Sequence, residues 1–168
     1  MLQSRAWRFG LAFIHPLGAL TRGLEGQLLA DMEALDEAGC VGFTNAFAPV
    51  LDTQVLRRAF EYAATLDLTV FLHAEDPWLT GKGCVHEGEV STRLGLAGIP
   101  EAAETVAVAR DLALIEQTGC RAHFCGLSSP RAVAMVAAAQ QRGLPVSADV
   151  TAHHLHLTEH DINDFDSM

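Results

Sequence analysis

Positive charge is scarce in this 168-residue sequence, which has 11 basic residues against 21 acidic ones and a single lysine, Lys82. Its formal net charge of −10 argues against binding to nucleic acid or anionic membranes, because both are recognised by clustered Lys and Arg. No run approaches the roughly 20 apolar residues that cross a bilayer, and the N-terminus lacks the apolar centre of a signal peptide. We therefore expect a cytoplasmic protein.

The sequence also lacks a closely spaced cysteine pair. Its four cysteines, Cys40, Cys84, Cys120 and Cys125, form no CxxC motif, and three of them lie in or beside apolar strand-like runs. Reduced and mostly buried thiols are expected rather than disulfides or a zinc cluster. With 49% hydrophobic residues, the chain is long enough for one ordinary domain with its own core.

Strand-like apolar runs alternate with amphipathic helical patterns along the chain. Strands are predicted at residues 9–14, 40–44, 69–72, 121–127 and 145–150, and helices at residues 24–38, 52–63, 101–117 and 128–141. A Gly-rich segment, residues 77–100, predicts a long functional or mobile loop. The alternation predicts an α/β fold with a parallel sheet, either an open doubly wound sheet or an arc of a (β/α)8 barrel. No Gly-rich phosphate fingerprint follows the first strand, which disfavours nucleotide binding.

One stretch combines a buried strand with polar side chains at its end. Residues 69–72 are β-branched or large and apolar, and His73, Glu75 and Asp76 follow at once. His73 is thereby placed at the carboxyl end of a strand, the edge that carries the active site in parallel α/β folds. It is a candidate metal ligand or acid–base group. The alternative is a histidine held by hydrogen bonds at a strand end.

Three further polar clusters have both a functional and a structural interpretation. Residues 153–156 contain three histidines, which are too close in sequence for all of them to face one point. His86 and Glu87 fit a solvated or loop-bracing pair better than a catalytic dyad. Cys125 and His123 are two residues apart on a predicted strand, a spacing that permits a nucleophile and base without establishing them.

A set of short motifs resembles a known family. In chain order they are His15-Pro-Leu-Gly-Ala-Leu-Thr21, Ala38-Gly-Cys-Val-Gly-Phe43, His73-Ala-Glu-Asp76, Arg93-Leu-Gly-Leu-Ala-Gly-Ile-Pro100 with Glu101 to Glu104, and His153-His-Leu155. The ordered set covers nearly the whole chain and resembles dihydroorotase of the amidohydrolase superfamily. In detail it is similar to the dihydroorotase-like proteins that accompany aspartate transcarbamoylase in some bacteria. The resemblance implies a (β/α)8 TIM-type barrel of the metal-dependent hydrolase kind. Residues 1–168 would form one partial barrel domain of about five βα units, roughly the third to the seventh strand.

The same resemblance implies an incomplete metal site. The family holds zinc with an HxH pair on the first strand, an acidic or carboxylated-lysine ligand on the fourth, histidines on the fifth and sixth, and an aspartate on the eighth that acts as general base. Asn45 and Ala46 stand where the fourth-strand acids belong, and Gly126 replaces the sixth-strand histidine. His73 is the one ligand position that survives. Phe47 replaces a family glycine and is expected to fill part of the metal cavity.

These substitutions decide the functional expectation. One imidazole does not hold zinc, which takes three or four protein ligands, and without zinc the hydrolysis of a ring amide loses its metal-bound hydroxide. We expect no catalytic residues, no cofactor, and a structural role as a partner of aspartate transcarbamoylase in pyrimidine biosynthesis. The alternative is a zinc-dependent cyclic amidohydrolase acting on dihydroorotate. The sequence identifies no substrate-binding residues.

A barrel arc is also expected to associate with itself. Five parallel strands leave two open sheet edges with unpaired backbone groups. The inward faces predicted for Val41, Phe43, Val70 and Leu72 would lack partners across the barrel.

Overall fold

The computed structural model describes residues 2–162 as an α/β structure. The helices are α1 (Leu2–Phe9), α2 (Met32–Glu37), α3 (Thr53–Thr65), α4 (Pro77–Thr80), α5 (Glu89–Leu94), α6 (Ala102–Thr118) and α7 (Pro130–Gln141). The strands are β1 (Gly18–Ala19), β2 (Gly42–Thr44), β3 (Thr69–Leu72), β4 (Val85–His86), β5 (Gly98–Ile99), β6 (Ala122–Phe124) and β7 (Val146–Ala148). Short 3-10 turns cover Arg22–Leu24, His153–Leu155 and Glu159–Asp161.

Five of the strands form one sheet in the order β1-β2-β3-β6-β7. β1 and β2 pair in parallel, as do β2 and β3, with Phe43 opposite Val70. β4 and β5 form a separate two-stranded parallel sheet. The chain divides into two compact units, Met1–Leu72 with Leu114–His123 and His73–Ala113 with Phe124–Met168. The sequence prediction of a five-stranded parallel sheet is confirmed.

In the first unit, α3 and β3 follow directly from the sequence. The Asp52 carboxylate accepts hydrogen bonds from the backbone N–H groups of Gln54 at 2.8 Å and Val55 at 3.2 Å, which caps the helix. One face of α3 is buried and consists of Leu56, Ala59, Phe60 and Ala63. Along β3, buried Val70 and Leu72 alternate with half-buried residues, as expected of a strand whose two faces differ.

In the second unit, Glu104 and Ser129 fix the start of α7. The Ser129 hydroxyl accepts a hydrogen bond from the Ala132 N–H at 3.1 Å, and Pro130 occupies the first helical turn. The Glu104 carboxylate accepts from the backbone N–H groups of Ser128 at 2.8 Å and Ser129 at 2.7 Å. A carboxylate at a helix N-terminus is favourable, because it satisfies backbone donors and opposes the helix dipole.

Several predicted elements differ in the structure. Residues 9–14 are not a strand: α1 ends at Phe9, Gly10 has a positive φ of 62°, and the first strand of the sheet is β1. Of the helix predicted at 24–38, only α2 forms. The segment 77–100 is not irregular throughout, since it contains two short helices and the two-stranded sheet.

The predicted orientation of the strand side chains was also wrong in part. Phe43, Val70 and Leu72 are buried, whereas Val41 lies outside the strands and is exposed. Phe71 points from β3 to the opposite side from its buried neighbours and contacts the His123 ring, with the ring centroids 5.5 Å apart. Of the two faces of β3, the less buried one therefore carries Phe71, and the face with Val70 and Leu72 is the buried one.

Asp111 on α6 is a buried carboxylate. Burial raises its pKa from 3.8 to about 6, although the adjacent Arg110 guanidinium, 2.8 Å away, pulls the pKa the other way. A folded-state pKa above the unfolded value means that the folded state binds more protons between these two pH values. Stability is therefore highest below about pH 4 as far as this group is concerned, and is lost as the pH rises through about 6.

We predict that Asp111→Asn removes this pH dependence. The rise in pKa corresponds to on the order of 3 kcal/mol at neutral pH, so the variant should be more stable than the parent at pH 7 and similar to it near pH 4. Urea unfolding at both pH values measures this difference. Equal stabilities at pH 7 would show that Arg110 fully compensates the burial.

No helix in residues 2–162 combines the length and the apolar character needed to span a membrane.

Candidate functional site

His73 lies where the sequence placed it, directly after β3. Its Nε2 is 2.9 Å from a Glu75 carboxylate oxygen, and both side chains are about one-third exposed. Asp76 has a separate role, because its carboxylate accepts from the N–H groups of Trp78 and Leu79, both at 3.0 Å, and so caps α4. The His73 imidazole is thus hydrogen-bonded to a neighbouring carboxylate, an arrangement found both in structural histidines and in metal ligands.

Asn45 is the centre of a buried hydrogen-bond network. Its side-chain oxygen accepts from the Thr21 hydroxyl at 2.6 Å, and its amide nitrogen donates to the carbonyls of Leu24 at 3.1 Å and Ala48 at 2.8 Å. The Thr21 hydroxyl in turn accepts from the Gly26 N–H at 2.9 Å. Asn45 is only 6% exposed. An amide held in this way braces two loops, and a neutral amide is a poor ligand for a divalent ion.

The two residues that follow Asn45 offer no ligand either. Ala46 has a left-handed backbone with φ 51° and is exposed, and its N–H donates to the Thr44 hydroxyl at 3.0 Å. The Phe47 side chain is 82% exposed. Whether Phe47 fills part of a metal cavity in the whole barrel stays a prediction, because this chain spans only about two fifths of its relatives.

Gly126 has a left-handed backbone with φ 66°, a conformation that favours glycine. Its N–H donates to a carboxylate oxygen of Asp149 at 2.6 Å. A Cβ at this position would have Thr151 Cγ2 as its nearest neighbour, at 3.8 Å, which is ordinary van der Waals contact. A side chain at position 126 would therefore meet backbone strain before it met a steric clash at its Cβ.

Asp149 also lies beside Cys125 and His123. One ligand atom from each of the three side chains lies within 4.8 Å of the other two, with His123 and Cys125 half-buried and Asp149 exposed. Burial raises the pKa of the Cys125 thiol, and the Asp149 charge raises it further. A thiol with a raised pKa is a weak nucleophile at neutral pH, which disfavours the nucleophile–base interpretation of Cys125 and His123.

The remaining histidines do not assemble a site within residues 2–162. His153 accepts or donates a 3.0 Å hydrogen bond with Thr151, and its ring packs edge-on against His154 with centroids 4.5 Å apart. His86 and Glu87 are both exposed, in agreement with a solvated pair.

The chain has the fold of part of a TIM-type α/β barrel. L-Hydantoinase (dihydropyrimidinase) from Arthrobacter aurescens superimposes with a TM-score of 0.68 and 21% sequence identity, over 88% of this chain and 34% of that one. D-Hydantoinase from Bacillus sp. AR9 gives a TM-score of 0.68 at 21% identity, over 97% of this chain and 38% of that one. At this identity the likeness defines the fold, and it confirms the partial-barrel prediction.

The sequence comparisons define the family. The dihydro-orotase-like family matches residues 1–132, and the chain belongs to it. A dihydroorotase-like protein of Pseudomonas aeruginosa is 49% identical over 168 residues, which is all of this chain and 40% of the relative. A dihydroorotase of Anaeromyxobacter sp. (strain K) is 46% identical over 162 residues, 96% of this chain and 37% of the relative. The chain thus spans about two fifths of the length of these relatives.

Two features of the site were not predicted from the sequence. The contact of Asp149 with Cys125 joins residues 24 positions apart, and no local pattern signals it. The partnership of Thr21 with Asn45 also spans 24 positions, although Thr21 stands in a motif that carries the family resemblance. Long-range partners of this kind follow from the fold rather than from periodicity.

Proposed function

We propose that this chain is part of a noncatalytic dihydroorotase-like protein that serves as a structural partner of aspartate transcarbamoylase in pyrimidine biosynthesis, in the cytoplasm. The observation that carries the proposal is the Asn45 network. At a position where the family has an acid, this chain has a buried amide. Its oxygen accepts a hydrogen bond and its nitrogen donates two, all with partners in the same chain.

Two further positions support the same conclusion. Gly126 provides no side chain for the sixth-strand histidine position, and Ala46 provides none for a fourth-strand acid. These residues do not fit the family's zinc site, since a catalytic zinc ion takes three protein ligands and leaves one position for water. We therefore derive no hydrolytic step for the chain.

A second candidate function is a zinc-dependent cyclic amidohydrolase that opens the dihydroorotate ring. The 46% identity to a protein named dihydroorotase favours it. On this alternative, ligands from parts of the protein outside the present chain would have to hold the metal around His73.

The partner role is tested by assembly. The whole protein that carries this chain, mixed with aspartate transcarbamoylase from the same organism at micromolar concentrations, is expected to elute as one complex of defined stoichiometry in size-exclusion chromatography with light scattering. A dihydroorotase from a species with an independent aspartate transcarbamoylase serves as the control. Separate elution of the two folded proteins would contradict the proposal.

We also propose that residues 1–168 alone associate with themselves. Trp7, Leu11 and Phe13 are 85–89% exposed, and β1 and β7 are the edge strands of the sheet. Exposed apolar side chains and open strand edges both promote association. Light scattering on the isolated chain should therefore show oligomers, and Leu11→Glu with Phe13→Glu should reduce their size. A monodisperse monomer that unfolds cooperatively would contradict this expectation.

A further inference from the structure

Charge is separated into blocks within the first compact unit. Residues 1–22 contain three basic residues, Arg5, Arg8 and Arg22, and no acidic one. Residues 23–56 contain six acidic residues and no basic one. Opposite charges that do not meet within one molecule attract one another between molecules, so such blocks favour contact between two copies of a chain.

The positive block is also apolar and exposed. We call residues 4–15, which include most of α1 and the chain that follows it, the basic apolar segment. Arg5 and Arg8 are three residues apart on α1 and so lie on one side of the helix, and both are exposed. Trp7 and Phe13 line a groove of about 700 Å³ beside Arg8. Within residues 4–162 neither arginine forms an ion pair.

The negative block has a complementary surface on and before α2. Glu33 and Glu37 lie one helical turn apart, and both are exposed, as is Asp31 before them. Leu28, in the same block, is 64% exposed. We call these four residues the acidic surface. Like charges one turn apart repel each other, so a cation that binds against Glu33 and Glu37 relieves the repulsion.

We propose that the basic apolar segment of one copy binds the acidic surface of a second copy. Arg5 and Arg8 pair with the carboxylates of that surface, and the exposed aromatic side chains of the segment cover Leu28. Each copy has one segment and one surface, so a reciprocal dimer is the smallest assembly that satisfies both. An anionic membrane also attracts basic apolar segments, but the net charge of −10 on this chain opposes that contact.

This inference gives the self-association proposed above a specific contact. The contact does not involve the sheet edges, so we expect it in the whole protein as well as in residues 1–168. Analytical ultracentrifugation of the whole protein at micromolar concentration should show dimers. Their dissociation constant should rise at least about 10-fold between about 50 and 500 mM salt, since exposed ion pairs are screened.

Two charge reversals test the contact from its two sides. The segment variant carries Arg5→Glu with Arg8→Glu, and the surface variant carries Glu33→Arg with Glu37→Arg. Each should weaken self-association at low salt by at least about 10-fold, because like charges then face each other.

Mixing the two variants distinguishes a direct contact from damage to the fold. In a mixed dimer the reversed segment meets the reversed surface, and the native segment meets the native surface. An equimolar mixture should therefore associate as tightly as the parent to within about 3-fold. Arg93→Glu with Arg131→Glu changes the same charge at exposed positions of the second compact unit and is the matched control, which should associate like the parent.

Three outcomes would overturn the proposal. The parent could remain monomeric at low salt, or the mixture could associate no better than its two components. The parent could also bind phosphatidylglycerol vesicles instead of itself and lose that binding in the segment variant, which would assign the segment to a membrane surface. None of these results bears on the proposed partner role, which is measured by co-elution with aspartate transcarbamoylase.

Discussion

Asn45→Asp is expected to destabilise the protein by about 3 kcal/mol or more, instead of restoring a metal ligand. The amide nitrogen of Asn45 donates to the Leu24 and Ala48 carbonyls, and an ionised carboxylate would place an acceptor oxygen against both. A buried charge without donors costs more than an ordinary lost hydrogen bond, which is worth about 1–3 kcal/mol when a partner is left unsatisfied. The urea midpoint of the whole protein, at an unchanged m-value, measures the loss.

The matched control for this substitution is Ala46→Asp. Ala46 is exposed and has a left-handed backbone, which aspartate tolerates better than alanine does. The control should therefore change stability by no more than about 0.5 kcal/mol. If Asn45→Asp were as stable as its control, the network would not be the reason for the amide at this position.

The second large effect is expected when ligands are restored at the family positions. In the whole protein, Gly126→His with Ala46→Asp should create zinc binding that His73→Ala abolishes. The left-handed backbone at Gly126 costs a histidine about 1–2 kcal/mol, but the nearest atom to a Cβ is 3.8 Å away, which is ordinary van der Waals contact. Catalytic activity should recover less than binding does, because outer-shell groups tune a metal site about 10- to 100-fold and a noncatalytic chain is not selected to keep them.

Gly126→Asn with Ala46→Asp is the control, since asparagine accepts a left-handed backbone but is a poor zinc ligand. Zinc binding is expected to require Phe47→Gly as well, because the bulk of Phe47 stands beside the restored aspartate. Equal zinc binding by the His and Asn variants would show that position 126 does not contribute a ligand.

Much of the scaffold could be predicted because its signals are local. The cap residues Asp52 and Ser129 mark the starts of α3 and α7. The strand predicted at residues 69–72 has the same bounds as β3 in the structure. The position of His73 at the carboxyl edge follows from that strand alone. The family resemblance supplied the barrel class, which periodicity left open between two architectures.

The failures occur where tertiary contacts decide the structure. The apolar run 9–14 resembles a strand, yet Leu11 and Phe13 are exposed and lie outside the strands of the described residues 2–162. The helix predicted at 24–38 is shortened because Gly26 and the Leu24 carbonyl are tied into the Asn45 network. Partners that are distant in sequence cannot be predicted from the local residue pattern.

The central claim is that the protein carrying this chain is noncatalytic, and turnover of dihydroorotate tests it most directly. The whole protein, supplied with Zn²⁺ and assayed in both directions of ring opening and closure, is predicted to show no rate above that of the His73→Ala variant. A rate on the order of 1 per second or faster, lost in that variant, would be ordinary enzymatic turnover and would contradict the account.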